Sequence, residues 1–282
     1  MMFPLYDDND NGHSHHHHDF VHWGLLFFCI AVFGFEMFLL KTGGTKALGA
    51  FADSWSFEPK EYLPHGYTGL PLSSKIAMLA KCLAHLENLA LLKMIGGIFV
   101  HGSLAHLFFN MLALWFIGDN VQFAMGRLQY LAFFLLGGVV ATCGHVVMAT
   151  PNMFTSCIGA SGAIFAVMAA YLFYFPRAHF IMFYFIGIFW GTMALPAWLV
   201  IGFYAIGETV AAIDGFGTDY GNIAVWAHVV GFFGGAILCF FFKRKLEHPL
   251  YAPADVKLYT KNARQVIKER REKNKHWDEW GP

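Results

Sequence analysis

Residues 20–40, FVHWGLLFFCIAVFGFEMFLL, contain one acid, Glu36, and no lysine or arginine. A run of this length and polarity spans the hydrocarbon layer of a bilayer as one helix, the form in which a single segment satisfies all of its own backbone hydrogen bonds without water. Five further apolar runs follow, at residues 104–117, 130–148, 161–175, 196–213 and 223–242. The chain therefore reads as an all-α polytopic membrane protein with six spans, in keeping with its 57% hydrophobic and 13% charged residues. Residues 104–117 and 161–175 are short for a span, and cross only if flanking residues such as 95–99 lengthen them or if they sit inside the bundle, away from lipid. Residues 180–193 are apolar too, but Leu195-Pro196 starts a fresh helix, since proline fits a first turn and breaks an interior. That segment is expected as an aromatic lead-in at the interface.

Charge gives the orientation. Of the 19 Lys and Arg residues, 11 follow Phe242, 6 lie between Lys41 and Lys93, and only Arg127 and Arg177 interrupt the stretch from Phe99 to Phe242. Cytoplasmic flanks collect Lys and Arg, so six spans put both termini in the cytoplasm and the loops 150–160 and 214–221, which lack both, outside. The lysines of residues 41–93 then fall in an outer loop long enough to translocate regardless of charge. This divides the chain into a His-rich cytoplasmic segment (1–19), a six-helix membrane domain (20–242) with a long first outer loop (41–100), and a basic cytoplasmic tail (243–282). The first segment holds Asp7, Asp8, Asp10 and Asp19 but no basic residue, so no cleavable signal or transit peptide is expected. Its His13–His18 tract, natural or an affinity tag, points to adventitious metal binding and not to mechanism. The five cysteines are odd in number and have no CxxC spacing, so they read as small buried hydrophobes, with neither a disulfide framework nor a metal site.

Polar residues inside the spans gather at one depth. Ser161 opens the fourth span from outside. His228 lies five residues into the sixth, about 8 Å at the rise of a helix. His101, His106 and Asn110 surround the outer start of the second, and His145 lies near the outer end of the third. Groups of this kind are costly in a membrane and mark functional sites. On the sixth span His228, Gly231 and Gly235 share one helical face, and Gly231 with Gly235 makes a GxxxG pattern; the fourth offers Gly162, Ala166 and Ala169 at matching spacing. A close crossing of these helices brings the Ser161 hydroxyl to His228, which is how a neighbouring base activates a serine nucleophile. Gly159 and Gly162 leave room beside it for a substrate backbone. His106 and Asn110, four residues apart, stack on one face of the second span. With the backbone NH of Ser161 they are the candidate donors to an oxyanion. The acids of the outer half-spans are Glu36 and Glu208, and neither lies in a motif with His228. The expectation is a Ser-His dyad with Glu36 at the outer mouth, and of the two acids Glu208 is the one more apt to overturn the dyad.

Three ordered motifs carry a resemblance: His101, His106 and Asn110 as HxxxxHxxxN; Gly159, Ala160, Ser161 and Gly162 as GxSG; and Ala227, His228, Gly231 and Gly235 as AHxxGxxxG. At these residues, over roughly residues 97–242, the chain resembles the rhomboid family of intramembrane serine proteases, bacterial members especially. The resemblance implies a six-helix bundle with a water-filled cavity open to the outer side, a catalytic Ser161 and His228, an oxyanion site near His106 and Asn110, and no cofactor. It implies a serine endopeptidase of a bacterial inner membrane whose partners are single-pass transmembrane protein substrates and the lipid bilayer, not nucleic acid. Phe165 falls where the family often has a tyrosine stacked on the catalytic histidine, and Gln122 where an acid is common. Trp55 has no arginine partner in the first outer loop.

Blander readings stand beside these. Taken alone, Ser161 is a helix cap or small packing residue, His101 a structural hydrogen-bonder or mouth-lining residue, and Asn110 a bridge between helices. The pair His101 and His106 does not fit HExxH, and Ala163 occupies the last glycine position of GxSxG, so neither a zinc protease nor a soluble serine hydrolase is indicated. The alternative from another class is a non-catalytic protein of the same fold that binds and routes transmembrane helices. A transporter would need polar residues across the whole bilayer, whereas here the inner half-spans are largely apolar.

Overall fold

The computed structural model describes residues 2–7, 20–57, 70–84, 90–148, 157–186, 189–214 and 225–242. The His13–His18 tract, the tail after Phe242 and most of the loops 150–160 and 214–221 lie outside them. In chain order the elements are β1 (Met2–Asp7), α1 (Phe20–Trp55), α2 (Leu72–Ala84), α3 (Ala90–Gly97), α4 (Leu104–Met125), α5 (Arg127–Met148), α6 (Ser161–Tyr174), β2 (His179–Ile186), β3 (Phe189–Pro196), α7 (Ala197–Asp214) and α8 (Val225–Leu238). Helices α1, α4 and α5 are long and apolar enough to cross a membrane, and α6, α7 and α8 are shorter apolar helices. Each expected span thus corresponds to a helix of a membrane bundle.

The two short runs are resolved differently. Helix α4 gains length at its C-terminal end, running on to Met125, while residues 95–99 form the end of α3 and the turn after it. Helix α6 stays short and is wrapped by its neighbours, with 10 of its 14 residues buried. Helix α1 runs past its expected end at Leu40 to Trp55, with a break at Gly44, whose φ of 68° is a left-handed value that glycine adopts at little cost. Residues 41–100, expected as a loop, therefore hold the end of α1 together with α2 and α3.

Small residues let the backbones meet around α6. A Cβ on Gly162 would stand 2.5 Å from Ala141 Cβ, one on Gly137 2.6 Å from Ala166 Cβ, and one on Gly235 2.5 Å from Ala166 Cα. At Gly231 it would strike the Gly162 carbonyl. Helix α6 is therefore wedged between α5 and α8 at distances only glycine permits, which is how apolar helices associate when lipid offers no hydrophobic gain from burial.

Residues 180–186 and 189–193, expected as an aromatic lead-in, form most of the two strands of a β-hairpin. β2 pairs antiparallel with β3 from His179↔Pro196 to Ile186↔Phe189, and on its other edge with β1 from Met2↔Tyr184 to Asp7↔Phe180. Phe, Tyr, Ile and Trp suit a pleated surface, and the ladder satisfies backbone groups that an irregular lead-in would leave unpaired. The sheet sits at the Tyr174 end of α6, the end opposite Ser161. There Phe180 packs against Phe116 and Tyr171, with ring centroids at 4.8 and 5.4 Å. Helix α7 then starts at Ala197, directly after Pro196, and its amide donates to Ala178 O at 2.8 Å.

Candidate active site

Ser161 is the first residue of α6, so its amide points out of a helix N-terminus, without an acceptor in its own helix and at the positive end of the dipole. The residues leading into it are fastened twice. The Gly159 amide donates to Gly97 O at 2.7 Å, and Cys157 makes an isolated bridge to Phe57. Cys157 is buried there, and burial, reinforced by Cys143, pushes its thiol up to about 12.

His228 enters from α8, one turn before Gly231. The close crossing brings its Nε2 to 2.8 Å from Ser161 Oγ. Phe165, one turn into α6, stacks on the imidazole with centroids at 4.6 Å and planes 8° apart, and Tyr204 of α7 stacks on the far face of Phe165 at 5.2 Å. The imidazole plane is thereby fixed.

The second span begins at a capped turn. Ser103 Oγ accepts from the His106 amide at 3.1 Å, the bond expected of a serine N-cap. This sets the rotation of α4, and with it the face that carries His106 and Asn110. Both aim at Gly159. A Cβ there would stand 2.5 Å from His106 Cε1, 2.7 Å from its Nε2 and 3.6 Å from Asn110 Nδ2. The φ of Gly159 is +106°, a value few other residues adopt. Asn110 Nδ2 is buried and has no hydrogen-bond partner among the described residues. An unsatisfied buried donor beside the loop that leads into Ser161 is a group that could receive an anion.

His101 is buried. Its Nδ1 lies 3.0 Å from Phe99 O, and its ring meets that of His106 edge-on at 5.3 Å. Glu36, expected at the outer mouth, is instead 1% exposed, and its Oε1 accepts from the His101 amide at 3.1 Å. His145 is buried on α5, beside Gly144, which packs on Val230 two residues past His228.

Sequence reasoning left Glu208 outside the dyad because it shares no motif with His228, while marking it as the acid more apt to overturn that reading. The structure brings its Oε2 to 2.7 Å from His228 Nδ1. On α7, the buried Ala197, Ile201 and Ala212 fall at spacings of four, seven and four residues with Glu208 among them, so the carboxylate shares the helix face turned to the bundle. The signal available in the sequence was its depth: of the two acids in this 18-residue apolar helix, Asp214 is the last residue, while Glu208 lies inside the apolar stretch.

Two spaces adjoin these residues. A cavity of about 20 Å³ lies behind Ser161, lined by Gly159, Gly162, Ala141 and Thr142 among others, with room for one water-sized group. A cleft of about 450 Å³ opens between α4 and α7, walled by Phe109, Phe116, Met168, Val200 and Tyr204 and floored by Phe180 and Met182 of the sheet.

A family model described as "Rhomboid domain" matches residues 88–245. Among curated proteins, the chain is 25% identical over 181 residues to "Rhomboid protein 1, mitochondrial" of Saccharomyces cerevisiae, covering 60% of this chain and 49% of that one. It is 35% identical over 88 residues to "Presenilin-associated rhomboid-like protein A, mitochondrial" of Danio rerio, covering 31% and 23%. It is 34% identical over 73 residues to the Homo sapiens "Presenilin-associated rhomboid-like protein, mitochondrial", covering 26% and 19%. The matches thus span less than half the length of each of these relatives.

Proposed function

The chain belongs to the rhomboid family, and from that membership we propose that it is an intramembrane serine endopeptidase in which Ser161 is the nucleophile and His228 the general base. The observation that carries this reading is the 2.8 Å contact between Ser161 Oγ and His228 Nε2 in a pocket of apolar helices.

Ser161 Oγ attacks the scissile carbonyl carbon and its proton passes to His228 Nε2. The carbonyl oxygen becomes an anion held by the Ser161 amide, Asn110 Nδ2 and His106. The C–N bond then breaks, and His228 Nε2 hands its proton to the departing amine, leaving an acyl ester on Ser161. A water molecule, deprotonated by the same Nε2, attacks the ester and releases the new carboxylate, and the proton returns to Oγ. No cofactor takes part.

The substrate class is a single-pass transmembrane helix. A helix that reaches Ser161 must unwind locally, so Gly and other poor helix formers near the cut favour cleavage. The cavity of about 20 Å³ behind Ser161 admits a methyl-sized side chain on the acyl side of the cut. The cleft between α4 and α7 offers an apolar wall along which the remaining helix can lie. The basic tail argues for both termini on the cytoplasmic side of a bacterial inner membrane, residues 20–242 being the membrane domain, so that cutting occurs near the extracytoplasmic face. The names of the relatives specify mitochondria, and cell fractionation tests the membrane assignment.

Cleavage of a single-pass reporter by the purified protein tests the reading. Ser161→Ala and His228→Ala abolish it while the reporter still binds. His106→Ala and Asn110→Ala lower kcat far more than they raise KM, because they act on the transition state. Cleavage that survives Ser161→Ala refutes the assignment. A wild-type protein that captures helices without cutting them supports the non-catalytic alternative.

A further inference from the structure

We infer that Glu208 is a positioning residue for His228, so that the site is a triad of Ser161, His228 and Glu208 whose acid comes from the neighbouring helix α7. The inference rests on the protease reading above and deepens it.

To accept the serine proton, Nε2 must be bare, which requires the neutral imidazole to carry its hydrogen on Nδ1. Nδ1 faces Glu208 Oε2 at 2.7 Å, the short end of the range for a nitrogen donor and a charged oxygen. The carboxylate accepts that hydrogen and so selects the tautomer that leaves Nε2 free. The contact also fixes the one rotation that the Phe165 stack leaves open, because a ring lying flat on another at 4.6 Å and 8° can still turn in its own plane. After attack, the imidazolium holds two hydrogens, one toward the leaving amine and one toward Glu208. The negative oxygen at 2.7 Å then stabilises the positive charge on the base. In this role the carboxylate orients and stabilises the base and is not itself a proton carrier.

The placement has a second consequence. Ser161 and His228 sit on helices locked together by Gly162, Gly231 and Gly235, whereas Glu208 sits on α7, much of which faces outward: Phe203 and Ile206 are 80% and 66% exposed. The least anchored of the three helices therefore carries the residue that sets the base.

A helix-tethering role for the same contact predicts different kinetics. The test uses the full-length protein in detergent and a single-pass reporter, with kcat and KM measured separately for Glu208→Gln, Glu208→Ala and Glu208→Asp, alongside Ser161→Ala and thermal melting. Gln keeps the shape and the tether but supplies no charge, and its amide can donate to Nδ1 and select the wrong tautomer. Loss of a triad acid costs up to ~10⁴-fold elsewhere. The Glu208 side chain is 20% exposed, so water compensates in part and the expected fall in kcat for Gln and Ala is about 10²-fold. KM should stay within about twofold, and Asp should restore part of kcat. A folded Glu208→Gln with wild-type kcat, or one that changes only KM, overturns the inference. If Ser161→Ala is dead in the same experiment, the protease reading survives that failure. If Ser161→Ala is active, both fall.

Discussion

Gly159→Ala separates the oxyanion reading of the second span from a packing role for it. Gly159 has φ +106°, outside the regions open to alanine, and such strain costs about 1–3 kcal/mol of stability. The added methyl also needs space. At 2.5 Å from His106 Cε1 and 2.7 Å from Nε2 it overlaps the imidazole, while at 3.6 Å from Asn110 Nδ2 it makes ordinary contact. The obstacle is thus the end of a side chain and not backbone, so the imidazole is the part that yields and the bundle remains intact. Displacing one donor from a developing oxyanion costs ~2.7–4 kcal/mol of barrier, or 10²–10³-fold in kcat. The expected outcome is a protein that melts a few degrees lower, binds its reporter with near-normal KM, and turns it over at least 10²-fold more slowly. Melting by intrinsic fluorescence and steady-state cleavage in the same detergent give the two numbers. A folded Gly159→Ala with kcat within threefold of wild type would show that His106 does not face the transition state.

Two further outcomes follow from geometry away from the reacting atoms. A Cβ at Gly235 meets Ala166 Cα at 2.5 Å and its carbonyl at 2.8 Å, both backbone, so Gly235→Ala must push α6 and α8 apart; it should lower stability by about 1–3 kcal/mol, whereas Gly202→Ala on α7, with nothing within 4 Å, should leave the melting temperature unchanged. Equal melting of the two would remove the argument for backbone contact between α6 and α8. Burial pushes the Cys157 thiol up to about 12 and keeps it from the reactive thiolate form; a maleimide should modify it far more slowly in the folded protein than after unfolding, and equally rapid labelling in both states would refute its burial.

The apolar runs and their spacing determined the bundle before any coordinates, because a bilayer admits so few backbone forms. The depth shared by Ser161, His228, His106 and Asn110 was legible for the same reason: position along a spanning helix is position across the membrane. The glycine and alanine spacing on the fourth and sixth spans told which faces meet, since close approach needs small side chains at fixed intervals. Helix boundaries were less legible. Nothing in the composition after Leu40 or Ile117 separates a helix that continues from a loop, and tertiary contacts took α1 to Trp55 and α4 to Met125. The hairpin of β2 and β3 was invisible because its aromatic run suits helix or strand, and the strand that completes the sheet, Met2–Asp7, lies more than 170 residues away along the chain. Glu36 and Glu208 make the same point at the site. Sequence gives the depth of an acid on a helix that is apolar all round, but not the direction it faces, because no polar stripe marks the inner side. Only the packing of α1 and α7 decided it, turning one carboxylate to the His101 amide and the other to His228 Nδ1.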